Sequence, residues 1–119
     1  MLALVGVAIV IVFVPIASAG SPSGPDQVTR YFLKSGPTNK VGLDQVFEIS
    51  GKNFGFADTV ECWDPTFGDW HPIEFETITS KIMLAVIGDP DCLGKSRIRV
   101  TFDDTIPSTM VVGPLLKVT

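Results

Sequence analysis

Cys62 and Cys92 are the two cysteines of this 119-residue chain, thirty positions apart. Two thiolates alone complete neither a tetrahedral zinc site nor a nucleophile–base pair. The readings that stand are a disulfide, which suits an oxidising compartment, and two buried or loose thiols. A bridge needs Cα atoms within about 7 Å, which spacing does not decide. His71, the single histidine, lies between Trp70 and Pro72. No serine, cysteine or carboxylate is placed by sequence to make it half of a catalytic pair, so it is expected to cap a strand end at the surface. Glu74 and Glu76 alternate with Ile73, Phe75 and Thr77 and read as the solvated face of a strand. Asp89, Asp91, Asp103 and Asp104 are turn residues by default. Clustered at one end of a sandwich they would offer calcium its oxygen ligands, but without EF-hand spacing. Trp63, Phe67 and Trp70 fall within eight residues. They read either as core packing at the end of a sandwich or as an exposed patch for a neighbouring subunit or a sugar, with Phe67 exposed. The chain has no glycine-rich phosphate loop, no H-E-x-x-H and no C-x-x-C-H. The expectation is a protein without catalytic residues, cofactor or metal site.

The element that must position these residues is the stretch from Val46 to Gly55. Phe47 and Ile49 fall on one face of a strand, and Glu48 and Ser50 on the other. The strand is expected to break at Gly51 into a tight turn carrying Asn53 and Gly55, residues that tolerate positive φ. Phe54 between them is expected to fold back as a plug over the end of the core. The run Gly51-Lys52-Asn53-Phe54-Gly55 resembles the signature of the IPT/TIG family, immunoglobulin-like β-sandwich modules found mostly on extracellular proteins. Lys34-Ser35-Gly36-Pro37 keeps only the Gly-Pro of the family's earlier turn, and Gly42 stands where the family has a glycine before its second strand. The resemblance covers roughly residues 27 to 119. It implies an immunoglobulin-like sandwich and no enzymatic activity.

The pattern along the chain predicts about seven strands near ten-residue spacing, the count of such a sandwich. They are Val28 to Leu33, the signature strand, Thr59 to Trp63, Trp70 to Ile78, Ser80 to Ile87, Lys95 to Phe102, and Met110 to Thr119. Val60 and Cys62 are expected inward, as are Ile98, Val100 and Phe102. Ser80 to Ile87 is apolar on both faces and is expected to be covered on both. The last strand is expected at an edge, broken at Gly113-Pro114.

Composition bounds the function. The net charge is −4, and all thirteen acidic and nine basic residues follow residue 25. That leaves no basic footprint for nucleic acid or anionic lipid. Met1 to Ala19 has no charged side chain, and three readings compete for it. It is a secretory signal with an Ala17-Ser18-Ala19 cleavage pattern, a retained membrane anchor kinked at Pro15, or the helix of a pilin-like subunit. Each places residues 28–119 outside the cytoplasm, behind a Ser/Pro/Gly linker at 20–27. The expected architecture is therefore an all-β, immunoglobulin-like sandwich behind one N-terminal hydrophobic helix. The expected role is a structural or assembly module, tethered to a bilayer or packed in a filament core through residues 1–19. Its partners would be copies of itself or neighbouring surface subunits, not nucleic acid. The rival is a secreted ligand- or carbohydrate-binding module released after Ala19.

Overall fold

The computed structural model describes residues 26–103 and 108–119. The expected helix at 1–19, most of the 20–27 linker and Asp104 lie outside the described residues. What is described is an all-β, sandwich-like protein of twelve strands. They are β1 (Gln27–Leu33), β2 (Gly36–Thr38), β3 (Lys40–Val41), β4 (Val46–Lys52), β5 (Ala57–Asp64) and β6 (Asp69–Pro72), then β7 (Glu74–Thr79), β8 (Ile82–Val86), β9 (Gly94–Ser96), β10 (Ile98–Phe102), β11 (Thr109–Val112) and β12 (Leu116–Val118). One sheet runs β2-β1-β4-β8-β7, a second β11-β10-β5-β6, and a small third sheet β3-β12-β9.

Alternation decides which side chains go inward. A strand's side chains change face at each residue, and directly paired residues share a face. Tyr31 pairs with Ile49, Ile49 with Met83 and Phe47 with Ala85, and all five are buried. From the second sheet Val60 pairs with Val100 and Cys62 with Ile98. With Phe102 they meet the first set in one core. Val41, Leu116 and Val118 close it from the third sheet.

More strands form than the expected seven because the chain changes sheets within runs that read as continuous. Trp70 to Ile78 divides at Ile73, whose N–H donates to the Val60 carbonyl while β6 and β7 go to different sheets. Pro72, without an N–H, ends the first piece. Lys95 to Phe102 divides at Arg97: β9 pairs with β12 and β10 with β5. Two further corrections concern coverage. In β8, Met83 and Ala85 are buried, but Ile82, Leu84 and Val86 are only half-buried. In register, Glu48 and Glu76 flank Leu84 on that face, so it is not a second packed face. And β12 is the middle strand of its sheet, while β11 is the edge.

The signature stretch differs from its expectation at the glycines. β4 continues through Gly51 to Lys52, and neither Gly51 nor Gly55 has positive φ; only Asn53 does, at 62°. Gly51 is required by space, because a Cβ there would collide with the Gln27 carbonyl and the Phe54 ring. Asn53 in the left-handed region starts a 3-10 turn at Phe54–Phe56, its Nδ2 donating to Asp26 Oδ1 at 2.8 Å. The Phe54 N–H donates to the Ser80 carbonyl, 2.9 Å. Its ring is fully buried, stacked at 6.2 Å and 11° on Phe102 of the opposite sheet.

At the other end of the core the sheets are joined by Tyr31. Its hydroxyl donates to the Pro114 carbonyl at 3.0 Å and accepts from the Ile98 N–H at 3.4 Å. Gly113 lies so close to Tyr31 and Val28 that a Cβ would overlap both side chains. Burial pushes the phenol pKa above its ordinary value of 10.0, outweighing the Ile98 hydrogen bond and the Arg97 charge, which pull it down.

Two measurements check this packing. Phe54→Ala removes the inter-sheet stack and should cost about 3–5 kcal/mol in chemical denaturation; a melting midpoint within a degree of the parent would remove Phe54 from the role of plug. For Tyr31, a folded pKa raised above the unfolded value gives stability that is complete below about pH 10 and is lost as pH rises beyond it. The stability gap between the parent and Tyr31→Phe should therefore narrow above about pH 10.

Candidate functional site

The β5–β6 hairpin carries most of the candidate residues, and its two faces differ in kind. Trp63 pairs with Trp70 and Glu61 with Pro72, while Glu61 also pairs with Arg99, and Arg99 with Val112. By register these residues share the outer face of the four-stranded sheet. The two indole rings lie 5.1 Å apart at 60°. The Arg99 guanidinium sits 4.5 Å from the centre of the Trp70 ring, where the ring's negative face attracts a cation. Its Nε and Nη2 donate to Glu61 Oε1 at 2.9 and 2.6 Å. Exposed Met110 and Val112 on β11 extend the patch.

The structure thus joins two of the three expected aromatics and separates the third. Trp63 and Trp70 are half-buried strand residues, not loop residues, and one face of Trp70 is occupied by Arg99. Phe67 alone stands on the turn, 74% exposed. That turn is fixed by Asp64, whose Oδ1 accepts from the Thr66 and Phe67 N–H groups at 2.8 and 3.0 Å. Gly68 completes it at a φ of 73°.

On the inner face Cys62 is bonded to Cys92, with Cα atoms 6.1 Å apart. The bridge draws a 3-10 turn, Pro90–Cys92, over the hairpin. His71, opposite Cys62 in register, then lies between carboxylates. Its Nε2 is 3.1 Å from Asp64 Oδ2 and its Nδ1 3.1 Å from Asp89 Oδ2. The expectation that His71 lacks a carboxylate partner is corrected. Asp64 lies seven positions before it and Asp89 eighteen after, and only the ladder and the disulfide bring them together. Asp64 is almost wholly buried, its side chain 1% exposed. Burial pushes its carboxyl pKa up, but the Phe67 and Thr66 N–H groups and the His71 ring outweigh that and hold it below the usual value.

Of the four aspartates considered together, the three described ones do not converge. The Asp103 N–H donates to the Phe56 carbonyl, at the Ala57 end of β5, whereas Asp89 and Asp91 sit at its Asp64 end. The seven residue steps from Ala57 to Asp64 separate these ends by about 23 Å of strand. Glu74 and Glu76 are exposed. Nothing in the local sequence around His71 signals the carboxylate contacts, since no two of the contributing residues have a motif's spacing.

Neither a known family nor an individually characterised protein matches the chain by sequence. Solved structures do share its fold. A Bacteroides thetaiotaomicron protein of unknown function superposes with a TM-score of 0.62 at 17% identity, over 86% of this chain and 24% of its own. An auxiliary nutrient binding protein from Bacteroides ovatus superposes with a TM-score of 0.52 at 14% identity, over 82% of this chain and 21% of its own. The chain therefore spans about a quarter or less of the proteins it resembles, and at these identities the likeness is one of fold.

Opening the Cys62–Cys92 bridge with reductant should destabilise the protein by about 2–4 kcal/mol, the range for a loop of this size. The check is denaturation with and without reductant, beside mass spectrometry after alkylation of the native protein, which should find no free thiol.

Proposed function

We propose that the chain is a non-catalytic, extracytoplasmic structural or assembly module of the immunoglobulin-like, IPT/TIG type, tethered through residues 1–19. The observation that carries this reading is the Cys62–Cys92 bridge, because structural disulfides persist in oxidising compartments and are rare in the cytosol. The two solved structures add support, since each uses the same fold as a minor part of a larger protein. The body is a rigid sandwich, and its contact surface is the outer face of the four-stranded sheet. Exposed Met110 and Val112 there flank the ordered Trp63–Trp70–Arg99–Glu61 group, and exposed Phe67 stands on the adjoining turn. Such a patch, aromatic and arginine-bearing with little exposed lysine, has the composition of protein interface cores. The tether is the uncharged run Met1 to Ala19, which lies in lipid or among copies of itself because water does not tolerate an apolar surface of that size.

A second reading is favoured by exposed Phe67 and by the fold shared with an auxiliary nutrient binding protein. In it the module is released after Ala19 and binds a carbohydrate or another small ligand. Val10→Arg separates the two. A charge at mid-helix costs about 2.5–3.5 kcal/mol on insertion, so the tethered module should lose membrane association or assembly. A soluble, secreted variant with Gly20 as its first residue would transfer the assignment to the binding module.

A further inference from the structure

Beneath the hairpin, a nitrogen of His71 and one carboxylate oxygen each of Asp64 and Asp91 lie within 4.8 Å of one another. We propose that these three residues form a binding site for one divalent transition-metal ion, with zinc the best fit, and that Asp89 orients the histidine for it.

The placement of the donors is built into the fold. Asp64 ends β5 and faces inward, buried. His71 is fixed one strand away by the Cys62–His71 register. Asp91 arrives from a remote part of the chain, and the adjacent Cys92 holds its turn covalently to Cys62. Three elements, locked by a β-ladder and a disulfide, thus bring three ligand atoms to one point.

Hydrogen-bond chemistry says what should occupy that point. A neutral imidazole has one N–H and one lone pair. Nε2 is in hydrogen-bond contact with Asp64 Oδ2 at 3.1 Å and Nδ1 lies 3.1 Å from Asp89 Oδ2, so a ligand bond at Nε2 would leave the ring's N–H at Nδ1 facing a carboxylate. The position between Nε2 and Asp64 Oδ2 is one that a proton or, in its place, a metal ion can hold. With bonds of about 2.0–2.2 Å to nitrogen and carboxylate oxygen, two neighbouring ligands of one metal ion stand about 3.0–3.5 Å apart, and the observed gap matches. A histidine that ligates through one nitrogen while its other N–H is held by a carboxylate is the usual outer-shell arrangement at such ions. Asp64 is prepared in the same way. Its Oδ1 is saturated by the Thr66 and Phe67 N–H groups, which leaves Oδ2 directed at the site.

The donor set selects the class of ion. Calcium and magnesium take oxygen ligands in larger number. An imidazole with two carboxylates suits zinc and its first-row neighbours. Both cysteines are bridged, so no thiolate competes. Three protein ligands leave one tetrahedral position for water.

The test titrates the full-length chain, stripped with EDTA and held in a mild detergent, with zinc chloride at neutral pH by calorimetry. The expected result is one equivalent bound, with a raised melting temperature. His71→Ala and Asp91→Asn should each abolish saturable binding, and Asp89→Asn should keep the stoichiometry but weaken affinity about 10–100-fold, as outer-shell changes do. Asp91 is exposed, so its variant should fold even if loss of the buried-side contacts of His71 perturbs the hairpin. No binding by the parent, binding unchanged in Asp91→Asn, or calcium chloride binding as tightly as zinc would each overturn the site. In the first case the pocket holds the His71 ring between two carboxylates and nothing more.

Discussion

The rest of the molecule depends on what is done with the middle of β5. At Cys62 the strand is hydrogen-bonded on one side to β10 and on the other to β6, and its side chain is bonded to a residue thirty positions later. That bond fixes more than the unfolded chain's freedom. It holds the turn after β8, the last strand of the first sheet in chain order, against a strand of the second. The segment between the two cysteines contains β6, β7 and β8, two of which belong to the first sheet and one to the second. One covalent link therefore closes the circuit that crosses between sheets and back, and Ile73 is the outward crossing point.

With one end of the circuit tied, the two sheets still have to be held at a packing distance, and the sequence does this by removing side chains where aromatic groups must pass. Gly51 makes room for the Phe54 ring, and Gly113 for the Tyr31 hydroxyl. At each place a large ring from the first sheet or its flanking turn reaches the second, Phe54 to stack on Phe102 and Tyr31 to bond at Ile98 and Pro114. The glycines are there for space rather than for backbone freedom. That distinction decides how a substitution fails: alanine at either position meets atoms, not a forbidden φ.

This also explains how much was legible in the sequence. Period-two alternation identified β4 and the inward residues of β10, because each runs along a single sheet with one face buried. The same rule overran at Trp70–Ile78 and Lys95–Phe102. Alternation continues through a residue at which the strand changes partners, so it carries no mark of Ile73 or Arg97. The two- and three-residue strands β2, β3, β9 and β12 are too short for any period. Phe54 could be located from its turn residues, but the role of Gly51 could not, since the atoms it avoids belong to Gln27 as well as to Phe54. The carboxylates around His71 had no signal at all. They are neighbours through a hairpin register and a disulfide, neither of which leaves a local pattern.

The alternation within β5 finally bears on how one hairpin can serve two purposes. Glu61 and Trp63 point outward to Arg99 and Trp70, while Cys62 and Asp64 point inward to Cys92 and His71. Successive residues of a strand cannot share a face, so the aromatic–arginine group and the Asp–His cluster are interleaved in sequence yet separated by the thickness of the sheet. The outer face is held by charge and ring contacts at half-exposed positions, where a partner can compete for them. The inner face is held by a covalent bond and by backbone N–H groups on a buried carboxylate. Contact at the surface can therefore vary while the geometry beneath it stays fixed, because the strand's own pleat insulates one from the other.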